Sequence, residues 1–219
     1  IIASFPIPIV FALLLNSVNN LKFRKVTQTI TTMPHYISVV VLVGMVLQLF
    51  NSRTGLYGNI IEKMTGAYPS DPFAEAINFR HFYVWSGVWQ SFGWDSIIYV
   101  AALTAIDPAL HEAAEMDGAS RFKRVLHVDL PGIAPTIIIM LILKTGSVMS
   151  IGFEKVFLLQ NNLNLSTSEV ISTYVYKVGL QADITDYSYS TAIGLFNSVI
   201  NMTIITLVNF ISKRVGQSS

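Results

Sequence analysis

The chain has 219 residues, of which 52% are hydrophobic and only 12% are charged. Soluble proteins carry about a quarter charged residues, so this composition is typical of a membrane protein. The net charge of +1 argues against a nucleic-acid partner, and the absence of cysteine excludes disulfides, thiolate metal sites and cysteine nucleophiles.

Five mostly apolar segments follow one another along the chain, and a bilayer core of about 30 Å needs roughly 20 such residues per helix. The segments are approximately 1–16, 33–50, 82–106, 132–151 and 188–211. The first begins inside an apolar run without a methionine, from which we infer that upstream sequence is missing. Residues 51–81 are expected to be an exposed loop, and 152–187 form a long polar, aromatic-bearing segment. The sequence therefore predicts an all-α protein, a polytopic membrane helical bundle forming one domain over residues 1–219.

Basic residues in the short connections set the orientation, because cytoplasmic loops of membrane proteins carry an excess of Lys and Arg. Placing three basic clusters on one side makes all five segments alternate, and that side is therefore the cytoplasm. The clusters are Lys22, Arg24 and Lys25; Arg121, Lys123 and Arg124; and Lys213 with Arg214.

The stretch of about 107–131, between the third and fourth segments, is polar and carries the signals of two short helices. Asp107 and Pro108 predict a helix start, because an N-cap residue precedes a proline at the first helical position. Two alanines then favour a helix with one bare face, and Gly118 is placed to end it in the left-handed conformation. A second, basic amphipathic segment follows and is expected to stop at Pro131.

This stretch resembles the EAA loop of bacterial ABC importer permeases, whose pattern is Glu-Ala-Ala, three residues, Gly, nine residues, Ile, one residue and Leu-Pro. The one departure is conservative, since Val128 stands in place of the isoleucine. The resemblance implies a cytoplasmic loop that couples the permease to a separate ATPase. The residues that carry this expectation are Glu112, Ala113, Ala114, Asp117, Gly118, Leu130 and Pro131. An ordinary solvated connector between two membrane helices is the alternative interpretation.

Further segments over nearly the whole chain resemble the oligosaccharide- and polysaccharide-type permeases among the carbohydrate importers. They are PIPIVFALLLN, KFRKVTQTITTMPHYIS, GWDSIIYVAAL, GFEKVFLL, STYVYKVGL and YSTAIGLFNSVIN. The resemblance implies the binding-protein-dependent (type I) ABC importer permease fold, a multi-pass location in the bacterial plasma (inner) membrane, and one more helix before Ile1. It also implies a second homologous permease subunit, two ATP-binding subunits and an extracytoplasmic sugar-binding protein. Asp95 departs from the pattern, because small residues are more usual there.

The sequence lacks the patterns of an enzyme. No G-x-x-x-x-G-K-[ST] loop occurs, so ATP and Mg²⁺ are expected on the partner ATPase and no cofactor is expected on this chain. The four histidines are dispersed without metal-ligand spacing, and no Ser-His-Asp set is evident. His111 and His127 lie on either side of the Glu-Ala-Ala sequence and are expected to be solvated. We therefore predict neither a catalytic residue nor a metal site.

Polar and aromatic side chains inside the apolar segments are candidates for a substrate path, because they are costly in lipid unless they face protein or water. Trp85 and Trp89 share one helix face with Gln90 beside them, and Asn197 and Asn201 share another. Aromatic faces suit the C–H faces of sugar rings, and carboxamides both donate to and accept from hydroxyls. The alternatives are an interfacial aromatic belt and hydrogen bonds between helices.

Two charged residues lie at matching depth in neighbouring apolar segments. Asp95 lies about twelve residues before Asp107, and Lys144 about thirteen residues after Pro131. Each alone costs about 2.5–3.5 kcal/mol near the bilayer centre. The simplest hypothesis is a direct ion pair; the alternative is Lys144 bound to backbone carbonyls or to the partner permease.

The interpretation that these features favour is a permease subunit of an ATP-driven importer that moves an oligosaccharide across the plasma membrane by alternating access. The same fold importing a non-sugar solute, such as an amino acid, peptide or phosphate derivative, is the first alternative. An ATP-independent secondary transporter is the second, and it predicts inverted repeats and paired broken helices that the sequence does not show. An assembly or scaffold protein is the third.

Overall fold

The computed structural model describes residues 2–146, 152–181 and 185–216, and these residues form helices and connecting turns without a strand. The all-α prediction is thus confirmed. In chain order the α-helices are α1 Pro6–Asn16, α2 Leu21–Thr32, α3 Val39–Leu49, α4 Leu56–Thr65, α5 Ala76–Thr104, α6 Pro108–Met116, α7 Arg121–Arg124, α8 Leu130–Gly132, α9 Ala134–Gly146, α10 Phe153–Leu159, α11 Leu165–Ser168, α12 Ile171–Tyr176 and α13 Tyr187–Gly216. A 3₁₀ turn covers Met33–Tyr36, and π-helical turns cover Val125–Asp129 and Lys177–Gln181.

The chain packs as two compact units, the first made of residues 1–36, 87–146 and 207–219, and the second of residues 37–86 and 147–206. Each unit has its own apolar core. That the whole of residues 1–219 acts as one permease domain stays a prediction.

The core of the first unit forms where α1 packs against the later part of α5. Buried residues three apart on α1 place one stripe of that helix against α5, as helical periodicity requires. The core residues are Ile9, Ala12, Leu15, Tyr99, Val100, Leu103 and Ile133. Phe11 and Phe92 add an edge-to-face contact at 5.2 Å. A Cβ on Gly93 would lie 2.1 Å from the carbonyl oxygen of Thr31, so only glycine lets α5 approach the end of α2 this closely.

The core of the second unit joins α3, α10 and the start of α5. Its buried members are Val43, Phe73, Phe79, Val156 and Leu159. The polar turn that follows α10 is held by amide side chains: Asn164 is buried and donates to the carbonyl oxygen of Leu159 at 3.1 Å, while the Ser168 hydroxyl donates to Asn164 Oδ1 at 2.9 Å. The segment 152–187 looks like a polar connection in the sequence, but α10, α11, α12 and a π-helical turn make it largely helical over its described residues.

The helices give fewer candidate membrane spans than the sequence predicts. By length and composition, one helix among the described residues, Tyr187–Leu207 within α13, is long and apolar enough to cross a membrane. The number rises to four if each of three bent helix pairs is one span. The sequence predicts five spans, and the first of them is missing from this count because α1 is only 11 residues long.

The predicted second segment, 33–50, is also not one helix. The backbone leaves the helical conformation at Ser38, whose side chain caps α3 by accepting from the amide of Val41 at 3.3 Å. Before this break the ring of His35 stacks on Trp94 with a centroid distance of 4.4 Å. The ring contact holds the 3₁₀ turn against α5, and a new helix starts after it.

Candidate functional site: the polar loop, the charge pair and the path residues

The helix α6 has the start and the end that its sequence predicts. Asp107 accepts a hydrogen bond from the amide of Ala109 at 2.9 Å, and Pro108 takes the first helical position. At the other end Gly118 has a φ of +73°, a left-handed conformation that glycine adopts without steric cost. The amide of Ala119 reaches back to the carbonyl of Ala114 at 2.9 Å, which completes a Schellman cap. The chain therefore turns sharply directly after the Glu-Ala-Ala sequence.

The second half of the loop differs from the prediction, because the helix does not stop at Pro131. Ser120 caps one turn of α-helix, and the π-helical turn then carries the chain into α8, which includes Pro131. In this turn the amide of Leu130 bonds to the carbonyl of Val125, five residues back. A proline inside an α-helix clashes with the carbonyl four residues earlier, and the wider turn gives room for the ring. The axis bends by 60° only afterwards, between the helical segments 121–132 and 134–146.

Two side-chain pairs connect the halves of the loop. Glu115 and Arg124 form an ion pair, and His111 Nε2 lies 3.4 Å from Asp129 Oδ1. Asp129 is only 4% exposed, and this burial raises the pKa of its carboxyl above the ordinary range, while His111 and Arg124 act in the opposite direction. His111 is therefore half-buried beside a carboxylate and not simply solvated. Sequence reasoning missed both pairs, since their members are nine and eighteen positions apart and belong to different helices.

The outer surface of the loop combines exposed apolar side chains with an unpaired carboxylate. Met116 is 88% exposed and Phe122 is 75% exposed, although both are large hydrophobic residues. Glu112 is exposed and makes no hydrogen bond or ion pair with any residue that the structure describes. The remaining residues of the predicted coupling set are exposed at Ala113, Asp117, Gly118 and Pro131 and half-buried at Ala114 and Leu130. Exposed apolar groups on a rigid turn are typical of a surface that another protein covers.

The predicted intramembrane ion pair is present in the first unit. Lys144 Nζ lies 3.0 Å from Asp95 Oδ2, and the two side chains are 30% and 29% exposed. The same ammonium group lies 3.4 Å from the carbonyl oxygen of Ser4. Lys144 thus connects α9 to α5 and to the turn that precedes α1. Backbone coordination, which the sequence left as an alternative, occurs together with the ion pair.

The predicted path residues divide between the two units. Trp85, Asn197 and Asn201 belong to the second unit, whereas Trp89 and Gln90 belong to the first. Both tryptophans are exposed, and Gln90 is half-buried. The two asparagines are half-buried on α13, and the Oδ1 atoms of both are buried without a hydrogen-bond partner among the described residues. Their role in binding a solute stays a prediction.

Comparison with known proteins gives a consistent assignment. Residues 4–217 match the family model described as the binding-protein-dependent transport system inner membrane component. Protein LplB of Bacillus subtilis is 40% identical over 214 residues, which cover 98% of this chain and 66% of the relative. The polygalacturonan/rhamnogalacturonan transport system permease protein YteP of Bacillus subtilis is also 40% identical, over 97% of this chain and 65% of the relative. This chain therefore spans about two thirds of the length of these relatives.

A solved structure extends the likeness to three dimensions. The structure is that of a bacterial alginate ABC transporter in complex with a periplasmic protein that carries an alginate pentasaccharide. One of its chains superposes with a TM-score of 0.91 and 37% identity, over 97% of this chain and 73% of the other.

Proposed function

Because this chain belongs to the family of binding-protein-dependent transport system inner membrane components, we propose that it is a transmembrane subunit of an ATP-driven oligosaccharide importer. The family consists of transport permeases and not of enzymes, and the fold is that of the type I ABC importer permease. In our proposal the chain crosses the bacterial plasma membrane several times and works by alternating access. ATP and Mg²⁺ bind to a separate ATPase.

The observation that carries the proposal is the geometry of the polar loop of about 107–131. A helix capped at both ends presents Glu112 and the exposed Met116, and a left-handed glycine turns the chain away at once. The Glu115–Arg124 and His111–Asp129 pairs make the two halves of the loop one body. A rigid, partly apolar projection is what a cleft in an ATPase needs in order to transmit its closure to the membrane helices.

The substrate class follows from the relatives and not from the loop. YteP is named for polygalacturonan and rhamnogalacturonan, and the solved neighbour transports alginate. Both names refer to polysaccharides that contain uronic acids, so oligouronates are the probes of first choice. We propose further that a second homologous permease subunit, two ATPase subunits and an extracytoplasmic sugar-binding protein complete the importer.

The experiment is purification of the intact complex from its own membranes through a tag on this chain, followed by reconstitution in liposomes. We expect an ATPase to copurify and a labelled oligogalacturonate or oligoalginate to enter the vesicles only when ATP and the sugar-binding protein are supplied. Uptake without ATP would indicate a secondary transporter, and ATP-driven uptake of amino acids or peptides alone would indicate the non-sugar alternative. A complex without any uptake would favour a scaffold role.

A further inference from the structure

A groove in the second unit contains the predicted path residue Asn197 together with residues not considered above, and it has the chemistry of a sugar-binding site. It is an open groove with a volume of about 470 Å³, bounded by α12, the π-helical turn after it and the first part of α13. Pockets for small ligands typically have about 300–1,000 Å³. The residues that matter for the argument are Phe153, Ser172, Tyr176, Tyr187, Gly194 and Asn197.

Three aromatic side chains, Phe153, Tyr176 and Tyr187, line the groove beside the aliphatic Ile171, Val175 and Leu180. Phe153 and Tyr176 pack with ring centroids 5.2 Å apart, and Phe157 closes the cluster behind them at 5.3 Å from each ring. Mutual packing fixes the orientation of these rings without a ligand. Tyr187 contributes a further ring from the start of α13. Rigid aromatic surfaces of this kind suit the C–H faces of a pyranose ring.

Two polar atoms in the groove have no hydrogen-bond partner within the described part of the chain. Ser172 Oγ and Asn197 Oδ1 are buried, and neither has a hydrogen-bond partner among the residues that the structure describes. Buried polar groups are normally satisfied, so an orphan pair in one groove requires an explanation. Sugar hydroxyls can donate to Asn197 and can both donate to and accept from Ser172. The apolar face of a neighbouring helix would leave both atoms unsatisfied, which argues against a protein as the occupant.

Two glycines shape the groove. A Cβ on Gly179 would lie 2.7 Å from Ser190 Oγ, so the absence of a side chain lets the π-helical turn lie against α13. Gly194 differs, because a Cβ there would have no heavy atom within 4 Å. Its missing side chain leaves open space inside the groove and does not serve a packing contact.

We infer that this groove is a binding subsite for one sugar ring of the transported oligosaccharide, a conclusion that rests on the proposed function. Asn197 lies ten residues into α13 from Tyr187, about 15 Å along the helix. By the charge rule the α13 end with Lys213 and Arg214 is cytoplasmic, so the subsite lies nearer the extracytoplasmic end of this helix. A sugar would reach it soon after leaving the binding protein.

The test fills the groove with a side chain at Gly194, where the structure leaves free space. Gly194→Leu places a side chain into the free space and replaces glycine inside a helix by a better helix former, so we expect the complex to assemble normally. Oligosaccharide uptake should fall about tenfold or more. Ala192→Leu is the matched control, since this exposed residue of the same helix does not line the groove. Loss of complex yield with Gly194→Leu would instead show that a protein covers the groove and would overturn the inference.

A second measurement uses the absence of cysteine from this chain. In the assembled complex, Gly194→Cys should react with a membrane-impermeant maleimide, and Ala192→Cys serves as the control. The probes are oligogalacturonate, oligoalginate and neutral cello-oligosaccharide mixtures. We expect at least one mixture to slow labelling at position 194 and not at position 192. If the wild-type complex takes up a mixture that does not slow labelling at position 194, the subsite is refuted and the proposed function stands. If no mixture is taken up and none slows labelling, the subsite and the proposed function are both refuted.

Discussion

The Asp95–Lys144 pair gives the most direct test of how charge is accommodated inside this protein. The two residues lie on α5 and α9, and Lys144 Nζ is 3.0 Å from Asp95 Oδ2. Asp95→Asn removes the negative charge but keeps the shape of the side chain. Lys144→Met removes the positive charge and keeps most of the aliphatic length. Each single change removes the opposite charge that lies 3.0 Å from the remaining residue.

The expected cost follows from the exposure of the two groups. Removing one partner from a fully buried pair costs about 3–5 kcal/mol. Because both side chains keep about 30% exposure, we expect about 2 kcal/mol for Asp95→Asn. Lys144→Met should cost up to about 1 kcal/mol more, since it also loses the contact with the Ser4 carbonyl. For a chain of this size each kcal/mol lowers Tm by about 2–4 °C, so the single variants should melt about 4–12 °C lower.

The assay is thermal unfolding of the detergent-solubilised complex in a double-mutant cycle. The double variant should recover part of the loss, with a coupling energy of about 1–2 kcal/mol. A matched control cycle combines Thr104→Ala on α5 with Thr145→Ala on α9, because each hydroxyl donates only to a carbonyl of its own helix. A coupling of Asp95 with Lys144 that is no larger than in this control would refute the reasoning.

Three further predictions concern the loop, the path and one half-buried lysine. Gly118→Val should cost about 1–2 kcal/mol of local strain, because Gly118 has a φ of +73°. The variant should insert in the membrane but lose substrate-stimulated ATPase activity. Uptake at the wild-type rate by this variant would show that Gly118 has no role in coupling. Asn201→Ala should reduce uptake without lowering complex yield, because Oδ1 has no partner to lose among the described residues, whereas a packing role requires reduced yield. Burial lowers the pKa of Lys155 from 10.5 to about 8 in the folded state. Between about pH 8 and 10.5 the unfolded chain therefore binds more protons than the folded protein, so the melting temperature of the wild type should rise with pH over this range. Lys155→Met should flatten this rise relative to the exposed Lys177→Met control, and an unchanged slope would show that Lys155 titrates as in solvent.

The sequence determined the local features whose causes lie within a few residues. Asp107 and Pro108 start α6, and Gly118 ends it, because capping and the left-handed conformation depend on neighbouring backbone groups alone. The helical rise per residue and the order of the segments were also enough to predict that Asp95 and Lys144 meet, and the ion pair is present.

Only the tertiary structure decided where helices bend and which distant side chains meet. His35 stacks on Trp94 beside the break at Ser38, and a widened turn carries the helix through Pro131. Hydrophobic periodicity reports neither feature. The His111–Asp129 pair and the groove of Ser172 and Asn197 join residues from separate elements. In an apolar chain the same residue types serve lipid contact, helix packing and substrate binding, so composition cannot separate these roles. Packing separates them, because it satisfies some buried polar atoms and leaves others, such as Ser172 Oγ and Asn197 Oδ1, without a partner among the described residues.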